Sequence, residues 1–140
     1  MGRLLAIDYG LKRVGLAVSD PMQIIATALE TVPAHTVLDF LKKYCARESV
    51  EAFVVGKPLD LDLKPTDSTK AVEKFVQQLK KFFPDQTVHL HDERFTSKMA
   101  LDAMIRGGST KKDRRKKENI DKVSATIILQ SFMESQSFRR

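Results

Sequence analysis

Three acidic residues stand where carboxylates can do chemistry. Asp8 directly follows the apolar run 4–7, and a carboxylate so close to a core is costly unless it is paired, hydrogen-bonded or bound to a cation. Glu93 follows a short strand-like segment, and Asp121 lies near the start of the last helical pattern. Hard divalent cations prefer oxygen ligands, and a pair of such ions can activate water and stabilise the leaving oxygen of a phosphodiester.

Two of the three acids also have an interpretation without catalysis. Asp8 has Lys12 and Arg13 nearby as ion-pair partners across the turn that follows it. Asp121 would gain about 0.3–1 kcal/mol from the helix dipole if it lay in the first turn of its helix. Spacing alone does not establish that the three acids meet, so both interpretations stay open at this point.

The elements that must position these acids follow from hydrophobic periodicity and from turn residues. Helices alternate with strands in the second half of the chain, which predicts right-handed crossovers and a mixed five-stranded sheet with helices packed on it. We expect residues 1–140 to form a single α/β domain. The predicted strands are 3–9, 13–19, 26–32, 52–56 and 87–91, and the predicted helices are 35–48, 72–83, 96–106 and a last one that Asn119 caps.

Length and composition exclude several classes of protein. The chain has 140 residues, is 42% apolar and 30% charged, and is long enough to bury a core without disulfides or metal clips. The apolar run that precedes Asp8 is too short for a signal peptide or a membrane-spanning helix. Cys45, the one cysteine, cannot form an internal disulfide, and its helical spacing predicts a core thiol. We therefore expect a cytoplasmic protein with no membrane partner.

The balance of charge points to a polyanionic partner. Lys and Arg total 24 against 18 acids, which gives a net charge of +6. A basic domain attracts nucleic acid through Coulomb attraction and counterion release. A solvated basic surface that serves only solubility is the alternative.

The basic residues are concentrated in one short segment that follows Gly107 and Gly108. Glycines make a poor helix interior, so we expect a mobile basic loop that contacts the phosphates of a substrate. Lys12, Arg13 and Arg94 are further candidates for phosphate contacts, although each has local acids with which it can pair instead. The loop's six basic residues are Lys111, Lys112, Arg114, Arg115, Lys116 and Lys117.

Two histidines alternate along the fifth predicted strand. His89 and His91 share one face of that strand, and Glu93 would share it if the extended conformation continued. A metal cluster of these residues is conceivable. We favour the simpler interpretation that the imidazoles are surface or hydrogen-bonded groups beside the acidic site.

Several segments together resemble the YqgF/RuvX family, in the same order and at similar spacing from the first strand to the last helix. The resemblance implies a ribonuclease H-like fold, related to that of Holliday-junction resolvases. It also implies a metal-dependent nuclease that matures the 5′ end of 16S ribosomal RNA, with Asp8, Glu93 and Asp121 at the family's acidic site positions. The matching segments are 8–17, 55–58, 92–94 and 120–125, which leads into Ile128-Leu129-Gln130.

The sequence therefore predicts a metal-dependent endonuclease that uses Mg²⁺ or Mn²⁺, with two ions in the site, and acts on precursor 16S ribosomal RNA, in association with the ribosomal particle. Two alternatives stay open. One is a resolvase that acts on branched DNA, and the other is a ribosome-associated RNA-binding module whose acids only support the fold. The oligomeric state is not fixed by the sequence.

Overall fold

The computed structural model describes residues 2–57, 67–92 and 117–138. Within that part of the chain, three α-helices pack on a five-stranded sheet, and none of these helices has an apolar stretch long enough to cross a membrane. The strands are β1 (Arg3–Tyr9), β2 (Arg13–Ser19), β3 (Ala26–Pro33), β4 (Val50–Lys57) and β5 (Thr87–Asp92), and the helices are α1 (Val37–Arg47), α2 (Asp67–Phe82) and α3 (Lys117–Phe138).

The sheet is mixed and has the order β3-β2-β1-β4-β5. β1 pairs antiparallel with β2 and parallel with β4, and β4 pairs parallel with β5. The parallel pairing brings the last residues of β1, β4 and β5 (Tyr9, Lys57 and Asp92) to one end of the sheet, which we call the carboxyl end. The mixed five-stranded sheet predicted from the sequence is thus confirmed.

Two hydrophobic cores lie on opposite faces of the sheet. Leu5 and Ile7 of β1 belong to a core that includes residues of α1 and α2, whereas Leu4 and Ala6 belong to a core that includes residues of α3. Side chains alternate between the faces of a strand, so β1 supplies both cores from consecutive residues. We call the two sides of the sheet the α1/α2 face and the α3 face.

The strand predictions hold, with one extension at the start of β4. β4 begins at Val50, two residues before the predicted start, because Val50 pairs with Arg3 across a register shift between Arg3 and Leu4. This pairing joins segments that are far apart in the sequence, and periodicity within the short apolar run could not reveal it. β3, β4 and β5 each extend one residue past their predicted ends.

The boundaries of three predicted helices need correction. Residues 34–36 form a 3-10 turn, so α1 begins at Val37, and it ends at Arg47. α2 begins at Asp67, five residues before the predicted start, and ends at Phe82, because its first turn is polar and lies outside the apolar periodicity. α3 begins at Lys117 and not at Asn119, because Lys and Glu are good helix formers and the helix extends through them. The predicted helix 96–106 lies outside the described residues.

Ser19, the last residue of β2, connects the first two strands through a buried hydroxyl. Only 1% of Ser19 is exposed. Its Oγ accepts a hydrogen bond from the backbone N–H of Leu4 at 2.8 Å and donates one to the carbonyl oxygen of Asp20 at 2.9 Å. The hydroxyl therefore satisfies a buried backbone donor beside the register shift in the β1–β4 pairing.

The segment that follows Ser19 is organised by the carboxylate of Asp20. Its Oδ1 accepts hydrogen bonds from the backbone N–H groups of Ile24 at 2.7 Å and Ile25 at 2.8 Å, and its Oδ2 accepts one from Met22 at 3.2 Å. The hydrogen bonds from Ile25 and Ile24 lower the pKa of the Asp20 carboxyl. Gln23 adopts a positive φ of 59° inside this loop, and its amide Nε2 donates to the carbonyl oxygen of Gly2 at 2.9 Å.

Replacing Ser19 with Ala should destabilise the protein by about 1–3 kcal/mol, because the buried N–H of Leu4 loses its acceptor. Urea unfolding monitored by circular dichroism measures the change. Ser49→Ala is the matched control, since Ser49 is exposed and supplies only its backbone carbonyl, to Arg3. Equal stability of Ser19→Ala and the wild type would show that water or another group replaces the hydroxyl.

Candidate functional site

Asp8 lies at the point where β1 leaves the core. It is half-buried, is the next-to-last residue of the strand, and pairs with Gly15 of β2. Leu4 and Ala6 of the same strand contribute to the core beneath α3, and alternation places Asp8 on that α3 face. The carboxylate is therefore at the carboxyl end of the sheet, on the side that α3 covers.

β4, which pairs with β1 on the side opposite β2, also has a glycine beside Asp8. Ile7 pairs with Val55 of β4, so the next residue of β4, Gly56, lies beside Asp8. Gly56 in turn pairs with His91 of β5. Because neighbouring strands are about 4.8 Å apart, the backbones of Asp8 and His91 are about 10 Å apart. Glycine therefore occupies the position beside Asp8 on both adjacent strands.

The two histidines of β5 face α3. The His89 ring centroid lies 4.8 Å from that of Phe132, and the His91 centroid lies 6.4 Å from it. The Nε2 atom of His91 shares a hydrogen bond of 2.8 Å with the hydroxyl of Ser131. Within the described ranges, no group of three or more His, Cys, Asp or Glu side chains is arranged to hold a metal ion. These contacts favour the interpretation of the imidazoles as hydrogen-bonded groups beside the site.

A tight turn between β1 and β2 positions the end of β1. The N–H of Gly10 donates to the carbonyl oxygen of Arg13 at 3.0 Å, and a Cβ atom at residue 10 would lie only 2.5 Å from that oxygen. The carbonyl oxygen of Lys12 accepts a hydrogen bond from the N–H of Ala34 at 2.9 Å. The side chain of Lys12 is exposed and that of Arg13 is half-buried, so this turn adds two basic residues to the carboxyl end of the sheet.

Asp121 lies in α3, four residues before Ala125, which is fully buried against the α3 face. The helix begins at Lys117, so Asp121 is in the second turn and not in the first turn as the sequence suggested. The stabilising effect of the helix dipole falls off within the first turn, which weakens the explanation of Asp121 by the dipole alone.

Most of the remaining candidate residues lie outside the part of the chain that the structure describes. Glu93 and Arg94 follow Asp92, the last residue of β5 at the carboxyl end of the sheet, and are themselves outside the described residues. Lys117 was assigned to the basic loop but begins α3, two residues before the predicted cap Asn119. The other basic loop residues, Lys111, Lys112, Arg114, Arg115 and Lys116, are also outside the described residues.

Sequence analysis missed the glycines that flank Asp8 and the hydrogen bond between His91 and Ser131. Strand alternation could have placed Gly56 on the same face as Ala52 and Val54, but its position beside Asp8 depends on the β1–β4 register. Ser131 lies on a helix whose rotation about its own axis is set by packing. Neither the position of Gly56 beside Asp8 nor the hydrogen bond between His91 and Ser131 can therefore be predicted from a local sequence pattern.

The family profile and the relatives named below each match nearly the whole chain. The profile of the family described as "RuvX: Holliday junction resolvase" matches residues 2–135. A protein of Amoebophilus asiaticus named "Putative pre-16S rRNA nuclease" is 58% identical over 135 residues, which cover 96% of each chain. A protein of Flavobacterium johnsoniae with the same name is 49% identical over 138 residues, which cover 99% of this chain and 100% of the relative.

Solved structures with similar architecture come from Thermus thermophilus. RuvC in complex with a Holliday junction substrate matches with a TM-score of 0.57 at 16% identity, over 97% of this chain and 96% of that chain. A second RuvC structure matches with a TM-score of 0.54 at 17% identity, over 96% of each chain. At such identities the likeness concerns the fold, and it confirms the predicted ribonuclease H-like fold.

Gly10→Ala should destabilise the protein by about 1–3 kcal/mol, because the added Cβ overlaps the carbonyl oxygen of Arg13 and forces the turn to shift. Thermal and urea unfolding measure the loss. Lys12→Ala in the same turn is the control and should stay within about 0.5 kcal/mol of the wild type, because its side chain is exposed. If both variants unfold at the wild-type urea concentration, the turn tolerates a Cβ and does not hold the end of β1 in place.

Proposed function

The chain belongs to the RuvX family, and we propose that it is a divalent-metal-dependent endonuclease that hydrolyses phosphodiester bonds of structured nucleic acid. The natural substrate that we propose is the 5′ end of precursor 16S ribosomal RNA, the RNA for which the relatives from Amoebophilus asiaticus and Flavobacterium johnsoniae are named. The observation that carries the proposal is the position of Asp8, a half-buried carboxylate at the carboxyl end of the sheet between two glycine-bearing strands.

The proposed metal ligands are Asp8, Glu93 and Asp121. Their donor atoms are all carboxylate oxygens, which suit Mg²⁺ or Mn²⁺. Gly15 and Gly56, which flank Asp8 on the two adjacent strands, carry no side chain that would compete with Asp8 for an ion. Two bound ions would lower the pKa of water and stabilise the leaving oxygen of the cleaved bond.

The chain's own basic residues have a separate role in this proposal. Lys12 lies in the turn that follows β1 and Arg13 begins β2, and both neutralise substrate phosphates as these approach Asp8. Arg94 follows Glu93 directly, and its guanidinium is suited to a bidentate contact with one phosphate. Because such contacts act on the backbone, they orient the substrate and do not read its sequence.

A second candidate substrate is branched DNA. It is supported by the description of the family as Holliday junction resolvase. A resolvase that cuts paired strands is expected to act as a two-fold symmetric dimer, whereas a monomer can process an RNA end. Cleavage of precursor 16S RNA and of a four-way DNA junction, side by side with Mg²⁺ and Mn²⁺, separates these substrates.

The same proposal treats residues 1–140 as one nuclease domain that works in the cytoplasm in contact with the ribosomal particle. The two hydrophobic cores share a single sheet, which supports one folding unit. Cys45 is half-buried, and burial raises the pKa of its thiol, as is typical of a packed structural thiol.

Asp8→Asn should abolish metal-dependent cleavage of precursor 16S RNA while the melting temperature stays close to that of the wild type. The amide keeps the shape of the side chain but removes the anionic oxygen that a divalent ion needs. Gel analysis of cleavage products with and without Mn²⁺ measures the effect. Asp85→Asn is the matched control, because Asp85 is exposed in the turn before β5, at the opposite end of the sheet. Undiminished turnover by Asp8→Asn would reject the assignment, and no cleavage by the wild type with either metal would favour the binding-module alternative.

Replacing Lys111, Lys112, Arg114 and Arg115 together by Ala should weaken RNA binding and flatten its salt dependence. Removing one phosphate contact lowers the slope of log K against log salt by about 0.7–0.9. Affinity measured between low and physiological salt gives the slope, and base preference should stay the same. Wild-type affinity and slope in this variant would show that the segment does not anchor the substrate.

A further inference from the structure

We propose that exposed lysines on α2, together with one lysine of α1, form a second nucleic-acid-binding surface that binds the flank of the RNA away from the cleaved bond. We call it the α2 track, and it consists of Lys42, Lys70, Lys74 and Lys81. The inference rests on the proposed function, because it assigns a further contact to the same substrate. It concerns the α1/α2 face of the sheet, whereas Asp8 lies on the α3 face.

The three lysines of α2 lie along one side of the helix. Successive residues of an α-helix are rotated by about 100°, so Lys70, Lys74 and Lys81 point within about 40° of one another. All three side chains are exposed. Glu73, an exposed acid of the same helix, is turned about 60° from Lys70 and about 100° from Lys74, so it lies to one side of the row. The row spans about 16 Å along the helix axis.

The ring of Phe82 contacts two of these lysines, one from α1 and one from α2. The Nζ atom of Lys42 lies 4.4 Å from the centroid of the Phe82 ring, and the Nζ atom of Lys81 lies 6.0 Å from it. The ring is 45% exposed, so this paired charge faces solvent. In the part of the chain that the structure describes, none of the four lysines forms an ion pair with a carboxylate. Their charge is therefore available to an external anion.

The track begins near the proposed catalytic site and leads away from it. The ring of Phe75, the residue after Lys74, stacks on Tyr9 with centroids 4.5 Å apart, and Tyr9 directly follows Asp8. Toward the other end of the helix, Phe83 packs edge-to-face on Phe53 at 5.2 Å. α2 therefore runs from the carboxyl end of the sheet toward the opposite end. A strand whose scissile phosphate lies near Asp8 can cross the end of the sheet and continue along these lysines.

The chemistry of the row fits a nucleic-acid backbone better than an acidic protein surface. Lysine is a flexible point charge that contacts phosphate without requiring a fixed geometry. A straight row of such charges matches a linear polyanion, and binding gains free energy from the release of its counterions. We therefore expect the track to increase affinity for substrates with a long flank and to contribute no base preference.

The test compares two triple variants that each remove three positive charges, the first from α2 alone and the second from α1 and α2. Lys70→Gln, Lys74→Gln and Lys81→Gln remove the row, and Lys43→Gln, Arg47→Gln and Lys80→Gln are the matched control. The control residues are exposed, and Lys43 and Lys80 are turned about 100° from their neighbours Lys42 and Lys81. Binding is measured without divalent ions, so that hydrolysis does not interfere, with a precursor 16S RNA fragment that has a long flank and with a truncated one. Circular dichroism checks that both variants keep the wild-type melting temperature.

For the long fragment, the track variant should lower the salt slope by about 2–3, since each of three phosphate contacts accounts for about 0.7–0.9. The control variant should retain nearly the wild-type slope, and all proteins should bind the truncated fragment alike. Equal losses in both triple variants would mean that net charge alone matters, and an unchanged slope in the track variant would reject the surface as an RNA contact. Either result overturns the proposal. The proposed catalytic function fails on a different readout, the absence of metal-dependent cleavage of the truncated fragment by the wild type.

Discussion

β1 is buried on both faces, and this constraint determines where the chain can carry charge. Leu5, Ala6 and Ile7 have no exposed surface, and Leu4 has 4%. A carboxylate among them would lose its hydration without a partner, at a cost of several kcal/mol. The position after Ile7 is the first at which the strand leaves the core, and Asp8 occupies it. Pairing with β2 and β4 then fixes this carboxylate relative to the rest of the sheet, so the same burial that stabilises the fold also positions the candidate site.

Local sequence patterns were enough to predict most of the fold. The β-branched and apolar runs predicted all five strands, and the apolar stripes of α1 and α2 predicted two helices. Asp8 was identifiable because it breaks an apolar run, which is an anomaly that a single segment can show. Acidic residues at later positions had no comparable local anomaly, and the sequence supported Glu93 and Asp121 mainly through the family resemblance.

Features that depend on long-range register or on helix rotation could not be predicted in this way. Gly56 lies beside Asp8 only because Ile7 pairs with Val55, and no local pattern specifies that alignment. The hydrogen bond of Ser19 to Leu4 depends equally on how β2 returns along β1. The sequence shows that α2 contains lysines but not that they form a surface near Asp8. The position of α2 relative to Asp8 depends on the stacking of Phe75 on Tyr9.

The α3 face of the sheet affects how the protein folds while the ribosome synthesises it. Its core includes Ala6, Ala17 and Ala52 from the sheet, small residues that allow close approach, and α3 is the last described element of the chain. During synthesis this side of the sheet therefore stays uncovered until α3 has emerged, although β1 to β5 and the opposite core are already available to fold. On the proposed assignment, Asp121 arrives with α3. The nascent chain would then be unable to cut RNA until α3 has been synthesised, even beside the RNA of the ribosome that makes it.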